Sequence, residues 1–112
     1  MATTQSTMEY ITDQLSRLGG RIRTRKMFGE YALYCDEKVV ALICDNQLFL
    51  KPTEVGKKLM PHPVEQAPFS GAKPMWLVTD ELLEDREWLC QMVNVAAEVL
   101  PFPKAKKKKS TP

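Results

Sequence analysis

The sequence predicts an α+β fold in two layers: an antiparallel β-sheet of about four to five strands, with an N-terminal helix, a short middle helix and a long C-terminal helix. Three observations carry this. Apolar residues recur at helical spacing near each end of the chain. Between them, YALYCD, EKVVALICD and NQLFLKP follow one another as short strand-like runs broken by turn residues. The length, 112 residues with 44% hydrophobic and 27% charged, suits one domain with one core.

The first helix is expected over residues 6 to 18. Met8, Ile11, Leu15 and Leu18 fall on one face, Ser6 or Thr7 can cap the start, and Gly19-Gly20 supplies a left-handed stop. RIRTRKMFG follows, in which Ile22, Thr24 and Lys26 alternate with Arg21, Arg23, Arg25 and Met27. A period of two with polar groups on both faces predicts an edge strand or an extended arm.

The central runs predict a β-meander with reversals at Asp36-Glu37 and Asp45-Asn46, whose side chains bond their own backbone and tolerate unusual dihedrals. Pairing Cys35 with Lys38 sets Leu33 opposite Val40 and Tyr31 opposite Leu42, and leaves Ala32, Tyr34, Val39 and Ala41 on the other face. Both faces are then apolar. Helices on one side alone leave the other bare, so a second layer or a partner subunit is implied, and a homodimer is one way to supply it.

Pro52 ends the third run. TEVGKKLM predicts a short helix with Val55, Leu59 and Met60 inward. Residues 61 to 74, with four prolines and Gly71, predict a loop, either functional or held over the core by Phe69. MWLVT is the last strand, Thr79 or Asp80 opens a short turn, and Asp85 caps the main helix. Leu89, Met92, Val93, Ala96, Val99 and Leu100 form its apolar face, and Pro101 and Pro103 end it.

The formal charge of +2 is unevenly spread. Lys104, Lys106, Lys107, Lys108 and Lys109 crowd the end of the chain; without them, 11 basic residues face 14 acids, a formal −3. The division expected is a domain over 1–103 and a disordered basic tail over 104–112. The tail reads either as a solubilising end or as a nonspecific phosphate contact.

Apolar runs are of strand length, far below the ~20 residues of a membrane helix. The first residues, MATTQSTMEY, lack a secretory signal, and Cys35, Cys44 and Cys90 are an odd, widely spaced set, so a cytoplasmic location with reduced thiols is expected. His62 is the lone histidine. No metal site, cofactor, small-molecule substrate or catalytic residue is expected: phosphate loop, nucleophile elbow and paired histidines are all missing. Asp80-Glu81 and Glu84-Asp85 sit at helix starts, where the macrodipole accounts for them.

Arg21, Arg23, Arg25 and Lys26 are the densest positive feature of the body and precede Phe28, Tyr31 and Tyr34. Interleaved cations and aromatics suit single-stranded nucleic acid; a solvated edge strand above core aromatics is the other reading. With the tail lysines Lys106, Lys107, Lys108 and Lys109, they are the candidate nucleic-acid-binding residues.

The stretch MFGEYALYCDEKVVALICDNQLFLK, residues 27–51, resembles the signature of the TfoX N-terminal domain family, also called TfoX/Sxy. Met27, Phe28, Gly29, Tyr31, Leu33, Tyr34, Leu48, Leu50 and Lys51 match its pattern, and Lys73-Pro74-Met75 and Leu83-Glu84-Asp85 extend the likeness. Glu30 and Ala32 stand where the family usually has glycine. The resemblance implies a two-layer α+β domain similar to type III secretion chaperones. It also implies transcription regulation linked to natural competence, in which full-length members carry a second domain and act with the cAMP receptor protein. The function expected is therefore a non-enzymatic regulatory or protein-interaction domain, with direct nucleic-acid binding as the alternative.

Overall fold

A computed structural model describes residues 3–60 and 62–101 of the chain. The elements, in order, are helix α1 (Gln5–Gln14), a 3₁₀ segment (Ser16–Arg21), strands β1 (Ile22–Met27), β2 (Glu30–Cys35), β3 (Lys38–Cys44) and β4 (Gln47–Leu50), helix α2 (Glu54–Leu59), strands β5 (Val64–Gln66) and β6 (Met75–Val78), and helices α3 (Asp80–Leu83) and α4 (Arg86–Val99). The strands form one open antiparallel sheet in the order β1-β2-β3-β4-β6-β5. The expected α+β class holds, with six strands rather than four to five.

The added strand is β5, in the segment expected to be loop. All three of its residues are exposed, so no apolar alternation announces it, and the flanking prolines mask it. It pairs only with β6.

Three two-residue turns join the first four strands. Phe28 and Gly29, Asp36 and Glu37, and Asp45 and Asn46 all sit at positive φ, as the type I′ hairpin loop requires. This loop matches the natural twist of the strands and fixes their register.

The register between β2 and β3 differs from the one expected. Cys35 pairs with Lys38 and Tyr34 with Val39, but a bulge intervenes, and Leu33 then pairs with Ala41, Ala32 with Leu42 and Tyr31 with Ile43. Val40 is the extra residue, and its carbonyl accepts the Lys51 N–H at 3.0 Å. The bulge turns both Val40 and Ala41 inward, sends Ile43 to the core, and leaves Leu42 and Cys44 on the opposite face.

The core lies between the sheet and its helices. Leu33, Ile43, Leu48, Leu50 and Trp76 from the sheet meet Ile11 and Leu15 at the N-terminal end and Leu89, Met92, Val93 and Ala96 from α4. Helix α1 begins earlier than expected because Thr4, not Ser6 or Thr7, accepts the Thr7 N–H. The residues leading into it are pinned: the Thr4 N–H donates to Asn46 Oδ1 at 2.9 Å and the Thr3 N–H to Gly29 O at 3.0 Å. The helix ends at Gln14 rather than residue 18, and the chain tightens into the 3₁₀ segment, where Gly19 takes φ +54°.

Asp85 caps α4 as expected, accepting the Trp88 N–H at 3.1 Å, and Thr79 caps α3. Two expectations fail at the surface: Val55 and Val99 are exposed. In α2 the inward position belongs to Gly56, where a Cβ would lie 2.7 Å from Thr53 Oγ1, 3.1 Å from Trp76 and 3.3 Å from Met92. Trp88 Nε1–H donates to Leu59 O at 2.8 Å and ties α2 to α4. Cys35, Cys44 and Cys90 are all buried and free.

Candidate functional site

The face of the sheet turned away from the helices carries the features that folding alone does not explain. One row crosses all six strands in register: Arg25, Ala32, Leu42, Phe49, Leu77 and Val64. Around it, Cys44, Phe49 and Met75 form a second buried cluster with Leu42 and Leu77 packed against it. This is the apolar second face expected from the strand pattern, with its membership redrawn by the bulge.

Phe69 stands over this face. It is 57% exposed, so it is not the buried anchor of the loop; that position belongs to Pro68. On one side of it lies a cavity of about 500 Å³ lined by Met27, Phe28, Glu30, Tyr31, Leu42, Cys44 and Phe69. On the other lies a cavity of about 460 Å³ that shares Leu42 and Phe69 and adds Lys51, Lys73 and Met75. Each is within the roughly 300–1,000 Å³ of ligand-binding clefts. The shared residues make them one trough.

Phe28 is the outlier. Its side chain is fully exposed, at 101% of the reference area, and its backbone φ is +50°. A bulky residue in the left-handed region is uncommon, and an aromatic ring wholly in water gains nothing from burial. Met27 beside it is also exposed.

The predicted basic residues separate. Arg21 donates from Nε to Asp36 Oδ1 at 2.9 Å and from Nη2 to Asp36 Oδ2 at 2.8 Å, and reaches Asn94 Oδ1 on α4 at 2.7 Å. Arg23 Nη2 lies 2.8 Å from Glu37 Oε1, and its guanidinium sits 4.3 Å from the centre of the Tyr34 ring. The hydrogen bond to Asp36 raises the Arg21 pKa, and that to Glu37 raises the Arg23 pKa; Asp36 is held below the usual carboxylate value by Arg21. These two cations are therefore neutralised by the acids of the next turn. Arg25 and Lys26 are exposed on opposite faces of β1 and make no ion pair among the described residues. Lys106, Lys107, Lys108 and Lys109 lie outside the described residues.

The signature residues divide likewise. Tyr31 and Leu33 belong to the helix-side core, Tyr34 lies half-buried under Arg23, Gly29 supplies φ +82° for its turn, and Met27 and Phe28 edge the trough. Glu30, where the family usually has glycine, is bound inward: its Oε1 accepts the Thr3 hydroxyl at 2.6 Å and the Asp45 N–H at 3.1 Å. The trough residues to which sequence reasoning gave no binding role are Leu42, Cys44, Lys51, Phe69, Lys73 and Met75; Lys51, Lys73 and Met75 entered only as matches to the family pattern and Phe69 only as the loop's anchor. The alternation of Leu42 and Cys44 was the available signal, and the unforeseen bulge inverted it.

The thiols offer no activated nucleophile at Cys35 or Cys44. Burial raises both, and Cys44, near Glu30 and Asp45 as well, is pushed up to about 11. Burial lowers the pKa of the half-buried Lys51. Among the described residues, no group of three or more His, Cys, Asp or Glu is placed to hold a metal ion, and no helix is long and apolar enough to cross a membrane.

The family model of the TfoX N-terminal domain matches residues 13–100. The chain belongs to that family. The TfoX N-terminal match spans every element from the end of α1 to α4, including the Phe28 turn and the Phe69 segment. The chain is also 43% identical, over 111 residues, to a Spirochaeta aurantia protein described as an uncharacterized 12.7 kDa protein in the trpE 5'region. That alignment covers 98% of this chain and 94% of the relative.

Proposed function

We propose that this TfoX N-terminal domain is a non-enzymatic regulatory domain that works by contacting another protein through the helix-free face of its sheet. The observation that carries the reading is Phe28, wholly exposed at positive φ beside exposed Met27 and Phe69. Strained backbone and exposed aromatic surface together mark a contact site better than a folding need. Membership of the TfoX family favours a part in transcription regulation of the competence kind. Three free thiols favour the cytoplasm.

Direct nucleic-acid binding is the weaker reading. The basic segment that suggested it spends Arg21 and Arg23 on Asp36 and Glu37.

The test is site-specific photo-crosslinking in expressing cells, with the reactive side chain at position 69 and, for comparison, at position 10 on the outer side of α1. Protein adducts at 69 that exceed those at 10 support the reading. Nuclease-sensitive adducts, or protein adducts at 69 no greater than those at 10, overturn it.

A further inference from the structure

The trough beneath Phe69 has a chemistry of its own, and it narrows what kind of polypeptide it suits. Its floor is apolar and recessed: Leu42, Cys44 and Met75 line the two halves, and Cys44 and Met75 are already buried. Its walls are the exposed rings of Phe28 and Phe69. Its charges are mainly of one sign. Lys51 and Lys73 line one half, Arg25 projects from the same sheet face in register with Ala32 and Leu42, and none of the three makes an ion pair among the described residues. The acid within the lining, Glu30, already accepts the Thr3 hydroxyl and the Asp45 N–H.

Resting on the protein-contact reading above, we infer that the trough receives an acidic segment of a partner polypeptide that carries bulky apolar side chains, one seated on each side of Phe69. Two large apolar groups suit two cavities of about 500 and 460 Å³ that meet at Leu42 and Phe69. Flanking carboxylates answer three cations that make no ion pair among the described residues, and the half-buried Lys51 gains most from one. A second copy fits less well, because it brings a face with the same excess of cations, Arg25, Lys51 and Lys73, against this one. Single-stranded nucleic acid also fits less well: bases can stack on the exposed rings of Phe28 and Phe69, but they leave the recessed floor of Leu42, Cys44 and Met75 unfilled.

Fluorescence anisotropy with the full chain tests the assignment. The probe is a fluorescein-labelled twelve-residue peptide of Asp and Glu with two Trp. Matched peptides carry Lys for the acids or Ala for the Trp, and a labelled oligothymidine is included. The lysine run after residue 103 contributes equally to every variant, so differences between variants report the trough. The double variant Phe28→Ala/Phe69→Ala, which removes only exposed rings and leaves the fold intact by circular dichroism, weakens the acidic Trp peptide by at least about tenfold. Lys51→Gln/Lys73→Gln weakens it several-fold at about 50 mM salt and little at about 500 mM. Unchanged affinity in the Phe variant, equal binding of the Lys or Ala peptide, or tighter Phe-dependent binding of oligothymidine overturns the inference. So does a concentration-dependent dimer abolished by the same Phe variant, which gives the face to a second copy. No peptide binding with the excess of crosslinking at position 69 retained overturns the trough's occupant alone, whereas loss of that excess overturns the protein-contact reading beneath it.

Discussion

Arg21 grips Asp36 through two parallel hydrogen bonds, Nε to Oδ1 at 2.9 Å and Nη2 to Oδ2 at 2.8 Å. The pair joins the end of the 3₁₀ segment to the second hairpin turn and, through Asn94, to α4. It turns the most basic stretch of the domain into a structural clasp, which Arg23 and Glu37 extend along the edge strand.

Neutralising both acids therefore releases two cations. In the full chain, Asp36→Asn/Glu37→Gln is expected to raise affinity for generic duplex DNA at about 50 mM salt. Two added phosphate contacts steepen the salt dependence by about 1.8 in log–log slope, a loss of roughly tenfold between about 50 and 200 mM. A salt titration of both proteins reads this, and parallel slopes would mean that the two arginines were never held back.

The clasp also has a pH signature. Asp36 is depressed below its ordinary 3.8 by the Arg21 hydrogen bond, so between these two values the unfolded chain binds more protons than the folded one. The contribution is present above pH 3.8 and is lost as pH falls through the depressed folded value. Melting temperatures of wild type and Asp36→Asn are thus expected to differ at pH 6 and to converge towards pH 2.

Phe28 gives the sharpest prediction. It occupies the first central position of a type I′ loop before Gly29, where Asn-Gly is the preferred pair. Phe28→Asn is expected to stabilise the fold by about 1 kcal/mol through relief of left-handed strain. It removes the exposed ring at the same time, so thermal stability rises while binding at the trough falls. An unchanged or lower melting temperature would show that the ring contributes to folding.

Gly56 is expected to reject a methyl group. Gly56→Ala sets a Cβ 2.7 Å from Thr53 Oγ1, which caps α2 by accepting the Gly56 N–H at 2.9 Å, and against Trp76 and Met92. The overpacking costs about 1–3 kcal/mol, read by urea denaturation with an unchanged slope.

Much of this architecture was legible in the residues. Met8 and Ile11 announced the first helix, though Leu15 and Leu18 drew its expected end past Gln14; Asp36-Glu37 and Asp45-Asn46 announced the hairpins, Asp85 the α4 cap, and MFGEYALYC the family. What escaped was set by tertiary geometry. The Val40 bulge leaves no mark on composition, since either register buries Val, Ala and Ile, yet it decides that Leu42 and Cys44 face away from the helices. Strand β5 is three exposed residues among prolines, stabilised by the β6 edge rather than by its own pattern. The basic segment read as a patch because its acidic partners lie a turn away at positions 36 and 37. Phe69, the one large apolar residue of its loop, read as an anchor, and the fold leaves it over half exposed above a trough whose lysines come from two distant segments.

The central claim is that this domain acts through the helix-free sheet face. The most direct measurement is a ¹⁵N-resolved NMR titration of the full chain with the acidic two-tryptophan peptide. The account predicts shifts concentrated at Met27, Phe28, Leu42, Lys51, Phe69 and Met75, absent in Phe28→Asn/Phe69→Ala. Shifts confined to α1, α4 or the residues after 103, with Phe28 and Phe69 unmoved, would contradict it.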